Sequence, residues 1–156
     1  MSSKRRRQAG IRTDVRKMLD ILLVEDNHGD VEMTKRALNS ASTAVRVSVT
    51  NNGSQALEFL NREGQYDGAV TPDLILLDIN MPRMDGKQFL GVVKSSPEFR
   101  SIPVVMFTSS ESQNDIRECY DRYANGYVVK PFDRLQYAEA LHQVVSFWGG
   151  VSELPQ

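Results

Sequence analysis

The sequence predicts an α/β fold, a parallel sheet covered by helices on both faces, and three observations carry the prediction. The chain has 156 residues, the size of one ordinary domain with a core that needs no staples. From Leu19 onward, short apolar runs alternate five times with amphipathic segments. One of those runs, Leu74-Ile75-Leu76-Leu77, is continuously aliphatic, as a strand buried on both faces should be.

Taken in order, "ILLVE" (21–25) reads as the first strand. The helical pattern in "DVEMTKRALNSA" follows, with Val31, Met33, Ala37 and Leu38 able to face inward. "AVRVSVT" (44–50) alternates with period two, a strand nearer the sheet edge. "GSQALEFLNRE" is helical, with Ala56, Leu57 and Leu60 on one face, and leads into a polar loop containing glycine. Next come the strand "DLILLD" (73–78), a helix in "GKQFLGVVKSS", and the strand "IPVVMFT" (102–108). "ESQNDIRECYDRYA" supplies the fourth helix, "GYVVK" (126–130) a short fifth strand, and "DRLQYAEALHQVVSFW" (133–148) a long last helix. On that helix, Leu135, Ala138, Leu141 and Val145 are expected to cover the sheet. Right-handed crossovers leave few topologies, and five strand–helix units suit the doubly wound, flavodoxin-like (βα)5 arrangement with strand order 2-1-3-4-5.

Composition fits a soluble globular protein: 40% hydrophobic, 25% charged, net charge −1. No apolar run approaches the length of a membrane span. The single cysteine, Cys119, excludes an internal disulfide and fits a reducing, cytoplasmic compartment. The near-zero charge hides an asymmetry. Residues 1–17 hold seven of the 19 basic residues and one acid, Asp14, so the remainder is acidic. We therefore divide the chain into a basic N-terminal arm (1–17), a folded domain (18–148) and a short tail (149–156). The arm has no apolar core of a secretory signal. It reads as a solvated segment, with electrostatic contact to nucleic acid or an acidic surface as the alternative.

In such a sheet, function sits at the carboxyl ends of the strands, beside the topological switch point. Those ends are chemically loaded: Glu25-Asp26 after strand 1, Asp78 after strand 3, Thr108-Ser109 after strand 4, and Lys130-Pro131 after strand 5. Strands 1 and 3 are neighbours in the predicted order, so three carboxylates converge. Unneutralised, they would repel one another and take up protons. A hard divalent cation with oxygen ligands relieves this, and Mg2+ suits one or two carboxylates plus waters and a phosphate. Lys130 supplies a second positive group and Thr108 a hydroxyl. Cations and a donor around an aspartate suit phosphoryl transfer to a carboxylate oxygen, with Asp78 as the nucleophile.

Together, "LLVEDN", "DLILLDINMPRMDG", "MFTSS" and "YVVKP", in that order, make the sequence similar to the receiver domains of two-component response regulators over about residues 18–148. The resemblance implies an acidic metal pair at Glu25 and Asp26, the phosphoacceptor at Asp78, and an Asn80 whose backbone carbonyl completes the shell of Mg2+ or Mn2+. It implies a switch hydroxyl at Thr108, the family's lysine at Lys130, and a cis peptide bond before Pro131. Tyr127 matches the aromatic that turns inward after phosphorylation. "EDNHGDVEMTKRAL", the loop near "REGQYDGAVTPD" and the ending "FWGGVSELP" resemble the stand-alone regulators paired with bacterial phytochrome histidine kinases. The implied partners are such a sensor kinase and a downstream protein. After Trp148 only eight residues remain, too few for an output domain, so the expected output is a protein contact.

Other readings fit less well. A dinucleotide-binding enzyme or a flavin-binding protein would need a phosphate-binding loop where "VEDNHGDV" places acids. A haloacid-dehalogenase-like phosphatase would need a second acid at position 80; Asn80 cannot protonate a leaving alcohol, which suits a phosphoacceptor switch rather than a turnover enzyme. A receiver-like scaffold that acts through binding alone is the remaining alternative. His28 reads as a surface residue, His142 as a solvated or interface side chain, and Cys119 as a packed helix residue. Tyr120, Tyr137, Val144 and Trp148 form a candidate homodimer face across helix 4, strand 5 and helix 5.

Overall fold

The computed structural model describes residues 18–155; the basic arm expected at 1–17 lies outside the described residues. Five strands, β1 (Leu19–Val24), β2 (Val45–Thr50), β3 (Leu74–Leu77), β4 (Val104–Thr108) and β5 (Gly126–Val129), alternate with five helices. The helices are α1 (His28–Asn39), α2 (Gly53–Leu60), α3 (Gly86–Ser95), α4 (Gln113–Asp121) and α5 (Arg134–Ser146). All four strand pairings are parallel and the order is β2-β1-β3-β4-β5, the flavodoxin-like topology that the sequence predicts. Element ends fall within two or three residues of the expected ones.

Alternation along the central strands divides the core in two. Leu22, Val24, Ile75, Leu77, Val104 and Met106 face α2 and α3 on one side of the sheet. Ile21, Leu23, Leu74, Leu76, Val105 and Phe107 face α1 and α5 on the other. Each fully buried aliphatic side chain stabilises the fold by about 1.5–3 kcal/mol, and all four residues of β3 are fully buried. Each of α1 to α5 starts from a polar cap at the carboxyl edge of the sheet. Asn27, Asn52, Asp85, Ser112 and Asp133 each accept a hydrogen bond from the backbone N–H three residues on, a contact worth about 1 kcal/mol. Strand ends and helix N-termini thereby share one edge of the molecule.

The last helix corrects the expected pattern. Leu135 is 81% exposed, whereas Tyr137, placed by the sequence on a dimer face, is buried with Leu141 and Val145. Apolar residues lie nearly all round α5, so their spacing does not single out one stripe. The tertiary contacts decide instead: the Tyr137 ring packs edge-on against Phe107, with centroids 5.1 Å apart. Its hydroxyl shares a 2.9 Å hydrogen bond with Thr34 of α1. Val144 and Trp148 are half-buried against the same core, leaving Tyr120 as the exposed member of the predicted face. Beyond α5 the chain runs through a π-helical turn (Phe147–Val151), and Leu154 packs back on the core. Among the described residues, no helix is long and apolar enough to cross a membrane.

Candidate phosphoacceptor and metal site

The carboxyl edge brings the predicted residues of β1, β3 and β5 together. Glu25 follows β1, and its backbone N–H continues the ladder to the Thr50 carbonyl at 3.0 Å, which turns the side chain into the space above the sheet. Asp78 follows β3 in the same way, bonded through its N–H to the Val24 carbonyl at 3.1 Å. Both side chains are buried, while Asp26 is exposed at the rim. One carboxylate oxygen from each of Glu25, Asp26 and Asp78 lies within 4.8 Å of the others.

Lys130 comes from the far side of the sheet, its backbone N–H held by the Thr108 carbonyl at 2.8 Å. Its ammonium is 2.7 Å from Glu25 Oε1, 2.9 Å from Asp30 Oδ2 and 3.9 Å from Asp78 Oδ2. Burial works against this charge. The hydrogen bond to Glu25, the field of Asp78 and the hydrogen bond to Asp30 outweigh it and hold the ammonium above its ordinary range. One ammonium cannot neutralise the whole group of acids, however. Burial pushes the Glu25 carboxyl up to about 7, the Lys130 hydrogen bond opposes the rise, and the charge of Asp78 adds to it. The group is short of positive charge, and its free donors are all carboxylate oxygens. That is the chemistry of a hard, oxygen-seeking divalent cation such as Mg2+ or Mn2+.

The Asp78 carboxylate is oriented rather than free. Oδ1 accepts the Ile79 N–H at 2.9 Å, and Oδ2 is turned toward Lys130. The loop that follows is drawn in by Gly86, whose N–H donates to the Ile79 carbonyl at 2.8 Å. A Cβ at position 86 would stand 2.0 Å from the Asp78 carbonyl oxygen, so only glycine allows this close approach. Asn80, the predicted backbone ligand, sits exposed in that loop, two residues beyond Asp78.

Thr108 is fully buried at the end of β4, with its Oγ1 3.4 Å from the Ser110 N–H. Tyr127 is half-buried against the core on the α3–α4 side, and its hydroxyl donates to the Ser110 carbonyl at 2.9 Å. The peptide before Pro131 corrects another expectation: among the described residues there are no cis peptide bonds. Trans is the lower-energy form even before proline, and Lys130 is aimed by its backbone bond to Thr108 and its ion pairs. His28 is exposed, and His142 Nε2 lies 2.9 Å from the Ala37 carbonyl, away from the acidic group.

Two features escaped the sequence reading. Asp30 lies in the first turn of α1, where an acid reads as an ordinary complement to the helix dipole. Only the return of α1 over the sheet brings it to Lys130. The second is a polar chain beside Tyr127. Ser110 Oγ donates to Asp115 Oδ2 at 2.5 Å, and Asp115 Oδ1 pairs with Lys87 of α3 at 2.6 Å. Lys87 also pairs with Glu118.

The family model described as "Response regulator receiver domain" matches residues 21–142. Response regulator Rcp1 of Synechocystis sp. is 32% identical over 135 residues, covering 86% of this chain and 92% of that protein. A crystal structure of its Mn2+-bound form superposes with a TM-score of 0.83 at 31% identity, over 88% of this chain and 99% of that one. The crystal structure of the phosphorylated cyanobacterial phytochrome response regulator RcpA gives a TM-score of 0.85 at 35% identity, over 90% and 100% of the two chains. The bacteriophytochrome response regulator RtBRR gives 0.71 at 40% identity, over 89% and 85%.

Proposed function

The chain belongs to the family of response regulator receiver domains, and from that premise we propose that Asp78 accepts a phosphoryl group from a sensor histidine kinase. The single observation that carries this reading is the convergence of Glu25, Asp26 and Asp78 within reach of one shared ion, with Lys130 beside them. In the transfer, a carboxylate oxygen of Asp78 attacks phosphorus in line. The P–N bond to the donor imidazole breaks with its electron pair left on the ring, and an acyl phosphate forms. Ile79 N–H holds the carboxylate plane for that attack, a matter of orientation.

A divalent ion held by Glu25, Asp26, Asp78 and the Asn80 carbonyl would supply charge neutralisation for the phosphoryl oxygens. Lys130 contributes a fixed ammonium to the same oxygens, and Glu25 and Asp30 keep it in place. Thr108 offers its hydroxyl to the phosphoryl group. Its movement, with Tyr127, changes the face formed by α4, β5 and α5, which a downstream protein or a second copy of the chain reads. Asn80 provides no acid to expel an alcohol, so the protein works as a phosphoacceptor switch that assists its own phosphorylation and dephosphorylation.

A bacterial phytochrome kinase is the donor we propose, on the likeness to RcpA and RtBRR, with the encounter in the cytoplasm. The test is mass spectrometry of the full chain after incubation with Mg2+ and either acetyl phosphate or an autophosphorylated kinase. One phosphoryl group is expected on the wild type and none on Asp78→Asn. Incorporation that persists in Asp78→Asn would overturn the assignment.

A further inference from the structure

The chain of contacts through Lys87 is not used by the chemistry at Asp78, yet it ends on both elements of the switch. Lys87 directly follows Gly86, the glycine seated against the Asp78 carbonyl. A lysine in the first turn of a helix opposes that helix's own dipole, so nothing in α3 itself favours it. Its ammonium instead reaches across to α4, where it pairs with Asp115 at 2.6 Å and with Glu118. Asp115 passes the contact on through the hydroxyl of Ser110, at 2.5 Å. Ser110 then touches both switch residues: its N–H is 3.4 Å from Thr108 Oγ1, and its carbonyl receives the Tyr127 hydroxyl at 2.9 Å.

The packing of α4 gives this chain its weight. Among its residues only Cys119 is buried, whereas α3 buries Gly86, Phe89, Leu90 and Val93. A helix that fully buries a single side chain is more readily displaced than one that buries four. Polar contacts then make up a large share of what fixes its first turn. Lys87, with 18% of its side chain exposed, and Asp115, with 24%, are sheltered enough to resist full screening.

We propose that Lys87 is a positioning residue for the switch: through Asp115 and Ser110 it holds the loop after β4 in the arrangement that places Thr108 for the phosphoryl group and seats Tyr127. This rests on the reading of Asp78 as phosphoacceptor. Without Lys87, the loop must be ordered at the expense of phosphoryl binding, while the metal carboxylates are untouched.

The test uses beryllofluoride as the phosphoryl mimic, titrated calorimetrically into the full chain at saturating Mg2+. The variants are Lys87→Ala, Lys87→Arg, Asp115→Asn, Tyr127→Phe and the Lys87→Ala/Tyr127→Phe pair. Lys87→Ala and Asp115→Asn are each expected to weaken beryllofluoride binding about five-fold or more, the lower end of typical coupling between sites. Mg2+ affinity should stay at the wild-type value and Lys87→Arg should restore the mimic's binding. The Lys87→Ala and Tyr127→Phe losses should be non-additive, because they break one chain. Wild-type beryllofluoride affinity in both Lys87→Ala and Asp115→Asn, or strict additivity, overturns the proposal; so does a matching fall in Mg2+ affinity, which would mark a general structural defect. Asp78→Asn separates the two levels. A wild type that binds no mimic overturns both readings, whereas binding that Asp78→Asn abolishes and Lys87→Ala leaves intact overturns only this one.

Discussion

At Gly86 one methyl group separates a working loop from a collision. Gly86→Ala would push a Cβ against the Asp78 carbonyl, which is backbone and cannot swing aside. We expect a loss of about 1–3 kcal/mol in urea denaturation, the usual cost of overpacking, together with weaker Mg2+ binding as Asp78 is displaced. Cys119 gives a pH prediction. Burial raises its thiol from an ordinary 9.0 to about 11. Between those values the unfolded chain releases the thiol proton and the folded chain keeps it, so the folded state binds more protons. Its contribution to stability is therefore undiminished below pH 9.0 and falls as pH rises toward about 11. Thiol alkylation at neutral pH should follow global unfolding; rapid labelling of the native protein would contradict this. Asp78 and Glu25 were legible because the strand order makes β1 and β3 neighbours, and Lys130 because it ends a strand at the same edge of the sheet. Asp30 was not, since its partner is 100 residues away and is reached only when α1 folds back.

Among the elements, α5 shows where periodicity stops deciding. Leu135, Ala138, Leu141 and Val145 and the Tyr137-Leu141-Val145 stripe are both acceptable apolar faces by spacing. The rotation chosen buries the larger side chain and gives its hydroxyl a partner on α1. Tyr137→Phe should cost about 1 kcal/mol, because it leaves the buried Thr34 hydroxyl without that partner. Tyr137→Ala should cost about 3–5 kcal/mol, the range for emptying an aromatic site. Leu135→Ala, at an exposed position, should stay within about 0.5 kcal/mol. Thermal or chemical denaturation of the three variants checks the order, and a large loss at Leu135 would reverse the assignment of faces. The polar caps were easier to anticipate in kind than in place: Asn27, Asp85 and Asp133 lie just beyond the site strands, where acids and amides serve capping and catalysis alike.

For the whole molecule, binding of an ion to three acids that repel one another favours the folded state by mass action. Adding Mg2+ should raise the thermal midpoint, and chelation should reverse the rise. In Asp26→Asn, which removes the exposed carboxylate, both shifts should shrink; equal shifts would move the ion elsewhere. We expect self-association, if it occurs, through the face formed by α4, β5 and α5, now without Tyr137. With Tyr120 exposed and Trp148 half-buried, we expect light scattering to show a dimer that Tyr120→Glu dissociates. Monomer alone, with and without beryllofluoride, would remove that expectation.

By itself the sequence determined the strand–helix alternation, the strand order and the acids, hydroxyl and lysine at the strand ends. Each follows from side-chain period and chain connectivity, which are local or nearly so. Tertiary structure alone decided the rotation of α5, the grip of Asp30 on Lys130 and the path from Lys87 to Tyr127. These join side chains far apart in sequence, and their energies depend on distances of a few ångströms that no spacing along the chain encodes.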